Sequence, residues 1–449
     1  MSEEQSITYT AQAGGHLTGQ IRVPGDKSIS HRSIMLGSLS QGRMTISGFL
    51  QGEDSLATLK AFRAMGVNID GPDEQGKVII EGVGMHGLSA PDEPLDLGNS
   101  GTSMRLLTGL LSAQGFDITL AGDHSLSSRP MKRVTDPVMQ MGADIETNKG
   151  GTAPLKIHSD ENTRLTGIDY TLPMASAQVK SCVLLAGLYA QGQTCVTEPA
   201  PTRDHTERML QGFGYVLDIK KLDAQSSQIC LQGGGQLTAC DIDVPSDISS
   251  AAFFMVGASI SQGSDITLKH VGINPTRIGV INILQQMGAD ISLSNEKEIG
   301  GEPVADIRIR YAQLKGIHIP EDQVPLAIDE FPAISIAAAC AEGQTVLSGA
   351  EELRVKESDR IQAMIDGMNI LGIDCEGTKD GMIINGGEFT SGTVDSLGDH
   401  RIAMSFAMAA LKAKGAITIK DCANVNTSFP DFIGLAQSCG LQVISKVDV

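Results

Sequence analysis

The sequence predicts an α/β protein of two domains, each assembled from three copies of one repeat. Three observations carry this. A helix rich in small residues, a turn glycine and a strand recur six times, as in SHRSIMLGSLSQGRMTISG from Ser30, TSMRLLTGLLSAQGFDITL from Thr102 and SAQVKSCVLLAGLYAQGQTCVT from Ser176. The pattern returns as SSAAFFMVGASISQGSDITL from Ser249, EFPAISIAAACAEGQTVLSG from Glu330 and HRIAMSFAMAALKAKGAITI from His400. The turn glycines recur about every 75 residues. A second unit alternates with the first: an amphipathic helix, then a glycine, then another strand, as in LKAFRAMGVNID and INILQQMGADISL. Finally, IRVPGDKSIS (21–30) and IDVPSDISSA (242–251) resemble each other three repeats apart.

Each element follows from its pattern. The first helix of each repeat is apolar nearly all round and belongs in the interior. The second carries one apolar face and belongs outside, and its following glycine suits a left-handed helix end. Six repeats exceed one core, so two domains of three are expected. The two similar segments mark the crossings. Residues 25–241 are expected to form one domain, and 1–24 with 242–449 the other.

Composition narrows the function. With 449 residues and 41% apolar content the chain has ample material for packed cores. The formal charge of −19 opposes nucleic-acid binding, and makes any cluster of Lys and Arg informative. No apolar run is long enough to span a bilayer, and the acidic start Met1-Ser2-Glu3-Glu4 resembles no targeting signal, so a cytoplasmic location is expected. The eight cysteines form no Cys-x-x-Cys pair and sit mostly in apolar runs; buried free thiols are expected, with neither a disulfide framework nor a zinc site.

The starts of the buried helices hold the chemistry. They carry Lys27, Ser28, His31 and Arg32; Asn99, Ser100, Gly101, Thr102 and Arg105; Ser176 and Gln178; Asp247, Ser249 and Ser250; Asp329 and Glu330; and Asp399, His400 and Arg401. Free N–H groups and the positive dipole end suit anions there. Helix capping alone accounts for the Ser, Asp and Asn. It does not account for Lys and Arg, which the dipole disfavours unless an anion is present. Further cations stand in loops: Arg129, Lys132 and Arg133; Arg203 and Arg208; Lys356 and Arg360 beside Glu357 and Asp359. A nucleotide loop is excluded, because GDKS (25–28) lacks the first glycine of the phosphate-binding pattern: position 20 is Gln.

Ten ordered motifs then resemble one family. VPGDKSISHR (23–32), LGNSGTSMRLL (97–107), SSRPM (127–131), ASAQVKS (175–181), TRDHTE (202–207), NPTR (274–277), IDEFP (328–332), LRVKESDR (353–360), DHRIAMSF (399–406) and TSFPDF (427–432) are similar to those of 5-enolpyruvylshikimate-3-phosphate synthase. GDKS, SAQVK, RDHTE and NPTR resemble its second, often glyphosate-tolerant, bacterial branch. The resemblance implies two domains of three βαβαββ units each, the inverse αβ barrel of enolpyruvyl transferases, with the active site in the cleft between them. It implies transfer of the enolpyruvyl group of phosphoenolpyruvate to the 5-hydroxyl of shikimate 3-phosphate, by a monomer that needs no metal or organic cofactor and is inhibited by glyphosate.

Site roles follow the resemblance position by position. Lys27, Ser28, Arg32, Ser176, Gln178, Arg203, Asp329 and Lys356 match residues around shikimate 3-phosphate. Lys27, Gly101, Arg129, Gln178, Arg360 and Arg401 match residues around phosphoenolpyruvate. Lys27, Asp329 and Glu357 match the reacting centre, with Asp329 assigned to the hydroxyl and Glu357 to the methylene carbon; the reverse assignment, and a share of the proton work for Lys27, stay open. The types make sense, because two anions that repel each other need several cations, and attack with later elimination needs two acid/base groups. Two departures stand out: Thr427 where some relatives carry Lys, and Ala177 where others have a second Ser. The relative that acts on UDP-N-acetylglucosamine carries a functional Cys before Arg-Pro; here Gly122-Asp123-His124 fills that stretch.

Overall fold

A computed structural model describes residues 6–223 and 225–447. Residues 1–5 of the segment assigned to the second domain lie outside them. The chain divides into two compact units. The terminal unit holds the described residues up to Pro24, Pro245–Lys297 and those from Pro303 on; the central unit holds the described residues of Gly25–Val244 and Glu298–Glu302. The second crossing falls three residues later than motif similarity suggests. Ile242 and Asp243 pair in parallel with Ile46 and Ser47, and that strand keeps them in the central unit.

Within each unit one pairing pattern recurs. Leu95–Asp96 pairs in parallel with Ile118–Ala121, which pairs antiparallel with Leu155–His158. Asp169–Thr171, Gln193–Glu198 and Ser227–Gln232 repeat it. So do Gly392–Asp395 and Ile417–Lys420, but there the antiparallel neighbour is Ile7–Ala11, from the start of the chain. Ile7–Ala11 also pairs with Val443–Val447, so the first strand completes the last repeat. The physical reason is register: Tyr9 and Ala11 point into the core while their backbones fill a gap in the ladder.

Six helices are buried along nearly their whole length: Lys27–Leu39, Gly101–Leu111 and Ala177–Gly187 in the central unit, and Ile248–Ile260, Phe331–Ala339 and His400–Ala409 in the terminal unit. Five begin at a side-chain cap: Asp26, Ser100, Ser176, Asp247 and Asp399 each accept a backbone N–H one turn in or less. The sixth starts after Glu330, which caps nothing, and has Pro332 in its first turn, where a missing N–H costs little. The amphipathic helices alternate with these, and Gly66, Gly142, Gly214, Gly288, Gly372 and Gly440 after them all have φ between +83° and +119°.

Two cysteines depart from the expectation of free thiols. Cys195 and Cys230 form a disulfide. They are register partners on antiparallel strands, with Cα atoms 4.1 Å apart. A pairing set by strand register leaves no trace in residue spacing. Cys182, Cys240, Cys340, Cys375, Cys422 and Cys439 lie outside the disulfide, and burial pushes the Cys182 and Cys340 thiols up to about 12.

Small residues set how closely the buried helices pack. A Cβ at Gly109 would lie 2.0 Å from the carbonyl oxygen of Cys182 on the neighbouring helix. Backbone cannot swing aside as a side chain can, so Gly109→Ala forces the two helices apart. Overpacking of this kind costs about 1–3 kcal/mol. Thermal unfolding is expected to show a midpoint lowered by several degrees; an unchanged midpoint would mean the helix pair yields freely.

Candidate active site

In the central unit the cations gather at three helix starts. Lys27, in the first turn after the Asp26 cap, pairs with Asp54 and keeps about a quarter of its side chain exposed. The Ser28 carbonyl oxygen accepts from Arg32 Nη1 at 3.0 Å. Arg32 is buried, and donates through Nε to Thr206 Oγ1 (2.8 Å) and through Nη2 to Ser181 Oγ (3.0 Å). Burial pushes its guanidinium down to about 10; Arg203 adds to this and Glu207 opposes it. Arg203 stands on the irregular segment between strand Gln193–Glu198 and helix His205–Gly212. Ser176, expected at a substrate phosphate, caps its own helix by accepting the Val179 N–H at 3.4 Å. His31, singled out at the same helix start, is buried against Thr58, and burial drives it down to about 3, so it stays neutral.

A second group surrounds Gly101. Arg129 donates to Asn99 Oδ1 (2.6 Å) and Ser125 Oγ (3.3 Å). Arg105 donates to Gln178 Oε1 at 2.5 Å, and Gln178 in turn donates to Thr102 Oγ1 at 3.2 Å. Burial pushes Arg105 down to about 10, and the nearby Arg133 and Arg129 push it the same way. Side chains that repel one another are thus held by amides and hydroxyls. A guanidinium cluster satisfied by neutral groups keeps its charge available to an anion. Gly101 belongs to this group because a Cβ there would lie 3.2 Å from Arg129 Nη1 and 3.3 Å from Arg105 Nη1. Arg105 was visible as a cation at a helix start, but its partnership with Gln178 was not.

The terminal unit solves its charges differently. Arg360 is fully buried and touches three carboxylates: Asp399 at 2.8 Å, Glu357 at 2.6 Å and Asp329 at 3.4 Å. Lys356 reaches Asp329 at 3.4 Å and Glu352 at 2.5 Å. Arg401 donates to the Asp329 carbonyl oxygen at 3.0 Å and lies 3.8 Å from Glu330. The expected residues Asp329, Lys356, Glu357, Arg360 and Arg401 therefore form one group, with Asp329 and Glu357 on separate nitrogens of one guanidinium. Burial alone would raise the Glu357 carboxyl, but Arg360 and His400 outweigh it and hold the group well below the usual carboxylate range. Asp399 is lowered in the same contest between burial and Arg360. The role of one residue escaped the reading of the sequence. Arg277 is buried, with Nη2 2.7 Å from Ser249 Oγ and 3.0 Å from Asp247 Oδ1, and Ser249 donates to Glu330. Only the order NPTR hinted at it. Thr427, where relatives can hold Lys, donates to the Asn424 carbonyl oxygen at 2.7 Å inside its own turn.

Arg360 sets a pH-dependent prediction. Arg360→Leu strands Asp399 and its neighbours, a change worth about 3–5 kcal/mol near neutral pH. The lowered carboxyls give stability that is present above their unfolded values and is lost as pH falls through their folded ones. Without Arg360 the buried carboxyls titrate higher and protonation relieves them. The gap between wild type and variant should be widest at pH 7 and shrink below about pH 4. A gap that stays constant across that range in thermal unfolding would contradict the assignment.

Comparison with known proteins gives the family. The family profile for EPSP synthase (3-phosphoshikimate 1-carboxyvinyltransferase) matches residues 11–435. A 3-phosphoshikimate 1-carboxyvinyltransferase of Methylococcus capsulatus is 66% identical over 98% of this chain and 99% of its own. One of Hydrogenovibrio crunogenus is 64% identical over 98% of each. The solved EPSP synthase of Acinetobacter baumannii is 58% identical, with a TM-score of 0.90 over 98% of this chain and all of that one. The enolpyruvyl transferase NikO of Streptomyces tendae, at 16% identity and a TM-score of 0.74 over 99% of this chain and 100% of that one, shares the fold. With six buried helices in two three-repeat units, cations at their starts and a family match over nearly its whole length, this chain belongs to the EPSP synthase family, the 3-phosphoshikimate 1-carboxyvinyltransferases.

Proposed function

We propose that the two groups of residues act together on phosphoenolpyruvate and shikimate 3-phosphate, moving the enolpyruvyl group to the 5-hydroxyl and releasing phosphate. The observation that carries this reading is the grouping of Asp329, Lys356 and Glu357 around Arg360. Lys27, Ser28, Arg32, Ser176, Gln178 and Arg203 hold shikimate 3-phosphate, with Asp329 and Lys356 at its ring. Gly101, Arg129, Arg360 and Arg401 hold phosphoenolpyruvate, with Lys27 and Gln178 shared. Arg105 joins them as the residue that orients Gln178.

The proton steps follow from the charges. Asp329 accepts the proton of the attacking 5-hydroxyl as its oxygen bonds to the carbon that bears the phosphate. Glu357 gives a proton to the methylene carbon. In the tetrahedral adduct the Glu357 carboxylate then takes a proton back from the methyl group as the C–O bond to phosphate breaks, which restores the double bond and releases phosphate. Paired with Arg360, Glu357 is held ionised, which makes it a poor acid. An anion that draws Arg360 to itself weakens that pull and raises the Glu357 carboxyl, so binding of phosphoenolpyruvate prepares the acid. Only then is the proton donor in its working state.

Purified protein should release phosphate only when both substrates are present, in a coupled assay; release from either alone, or none at all, would contradict the reading. Asp329→Asn and Glu357→Gln should each lower kcat by about 100-fold or more, and unchanged turnover in both would remove their roles. The finer placement in the glyphosate-tolerant branch is tested at Gly101. A methyl group there crowds Arg129 and Arg105, so Gly101→Ala should weaken both phosphoenolpyruvate and the longer inhibitor. The inhibitor should lose at least about tenfold, or 1.4 kcal/mol, and more than the substrate does. Equal losses in a competition assay would make Gly101 a requirement of the arginines rather than a gauge of ligand length.

A further inference from the structure

One buried ion cluster in the central unit has no place in the reaction just described. Lys180 is fully buried in helix Ala177–Gly187, with its ammonium 2.9 Å from Glu198 Oε2 and 2.7 Å from Glu207 Oε1. Those two carboxylates bracket the segment 199–204. Glu198 is the last residue of strand Gln193–Glu198, and Glu207 lies in the first turn of helix His205–Gly212. Thr202, inside the segment, donates to Glu198 Oε2 at 2.7 Å. One ammonium therefore clamps both ends of the irregular segment that carries Arg203, and a hydroxyl tacks down its middle.

The residue after Lys180 extends the clamp to Arg32. Ser181 Oγ accepts from Thr206 Oγ1 (2.7 Å) and from Arg32 Nη2 (3.0 Å), while Thr206 Oγ1 accepts from Arg32 Nε (2.8 Å). Burial works against the ammonium, but the pull of Glu207 and Glu198 exceeds it and keeps Lys180 charged. A buried triad of this kind is a poor source of stability, since apolar side chains of similar volume do as well or better. What it supplies is geometry. Segment 199–204 contains Pro199 and Pro201 and no helix or strand, so the clamped ends and the Thr202 hydroxyl help to set where Arg203 stands.

We propose that Lys180 is a positioning residue for shikimate 3-phosphate: through Glu198 and Glu207 it fixes the segment bearing Arg203, and with Ser181 it fixes Arg32, so that both guanidiniums meet the substrate's phosphate pre-aligned. This rests on the reading that Arg203 and Arg32 bind that phosphate. A fixed fork loses less freedom on binding than a mobile one, so the effect belongs in affinity and not in the chemical step.

The test uses three full-length variants. Lys180→Met removes the clamp. Lys180→Met/Glu207→Gln also removes a charge left unpaired, which keeps the test usable if the single variant folds poorly. Thr202→Val loses one hydrogen bond and no buried charge. Circular dichroism and thermal unfolding check the fold; calorimetric titration with shikimate 3-phosphate and steady-state kinetics give the result. The Lys180 variants should raise Kd and KM for shikimate 3-phosphate at least tenfold, with kcat and the KM for phosphoenolpyruvate within threefold, and Thr202→Val should move the same way by less. Folded Lys180 variants with unchanged shikimate 3-phosphate affinity, or with kcat and both KM values falling or rising together, would overturn the proposal, provided Arg203→Gln still weakens binding. Wild-type protein that does not bind shikimate 3-phosphate, or Arg203→Gln that binds it normally, would overturn the underlying reading and the proposal with it.

Discussion

Cations placed at the positive ends of buried helices are the constraint on which the rest of this structure depends. Lys27 and Arg401 lie in the first turns, and Arg32 and Arg105 in the second turns, of helices whose dipoles oppose them. Each must be compensated nearby or wait for an anion from solution. The acidic caps Asp26 and Asp399 supply part of that compensation while they satisfy backbone N–H groups. The repeat architecture makes this arrangement recur, because every copy ends a loop at the start of a buried helix.

The two units meet the constraint in opposite ways. Around Gly101 the hydrogen-bond acceptors for Arg105 and Arg129 are amides and hydroxyls, so positive charge accumulates. Around Arg360 three carboxylates converge on one guanidinium, and the group is closed to an anion unless one of them gives way. The first arrangement suits recognition of a charged substrate. The second suits acid and base chemistry, since a shared guanidinium couples the proton affinity of Glu357 to whatever else occupies Arg360. Buried ion pairs such as Lys180 with Glu198 and Glu207 belong to a third kind, in which charge is spent on holding backbone in place.

Glycine and other small residues govern how these groups come together. Helices of Ala, Ser and Gly allow backbones to touch, as Gly109 does Cys182, and this packs helix Gly101–Leu111 closely against helix Ala177–Gly187. Gly101 does the same at the scale of a side chain, leaving just enough room for two guanidiniums. Larger residues at either place would separate the cations before any chemistry was lost.

Much of this was legible in the chain because it is local. Hydrophobic periodicity gave the buried and amphipathic helices, helix-capping rules gave Asp26, Ser100, Ser176, Asp247 and Asp399, and the repetition of IRVPGDKSIS as IDVPSDISSA located the crossings to within three residues. The motifs pointed to Lys, Arg and paired carboxylates, the residue types that a reaction between two anions requires whatever the fold. Tertiary structure alone decided which charge faces which. The joining of Cys195 to Cys230, the union of Asp329, Glu357 and Asp399 on Arg360, the hold of Gln178 on Arg105 and the clamp of Lys180 all connect residues from different elements. Sequence spacing fixes contacts within a helix or a turn; contacts between elements depend on register and packing distance, which arise only when the repeats fold onto one another.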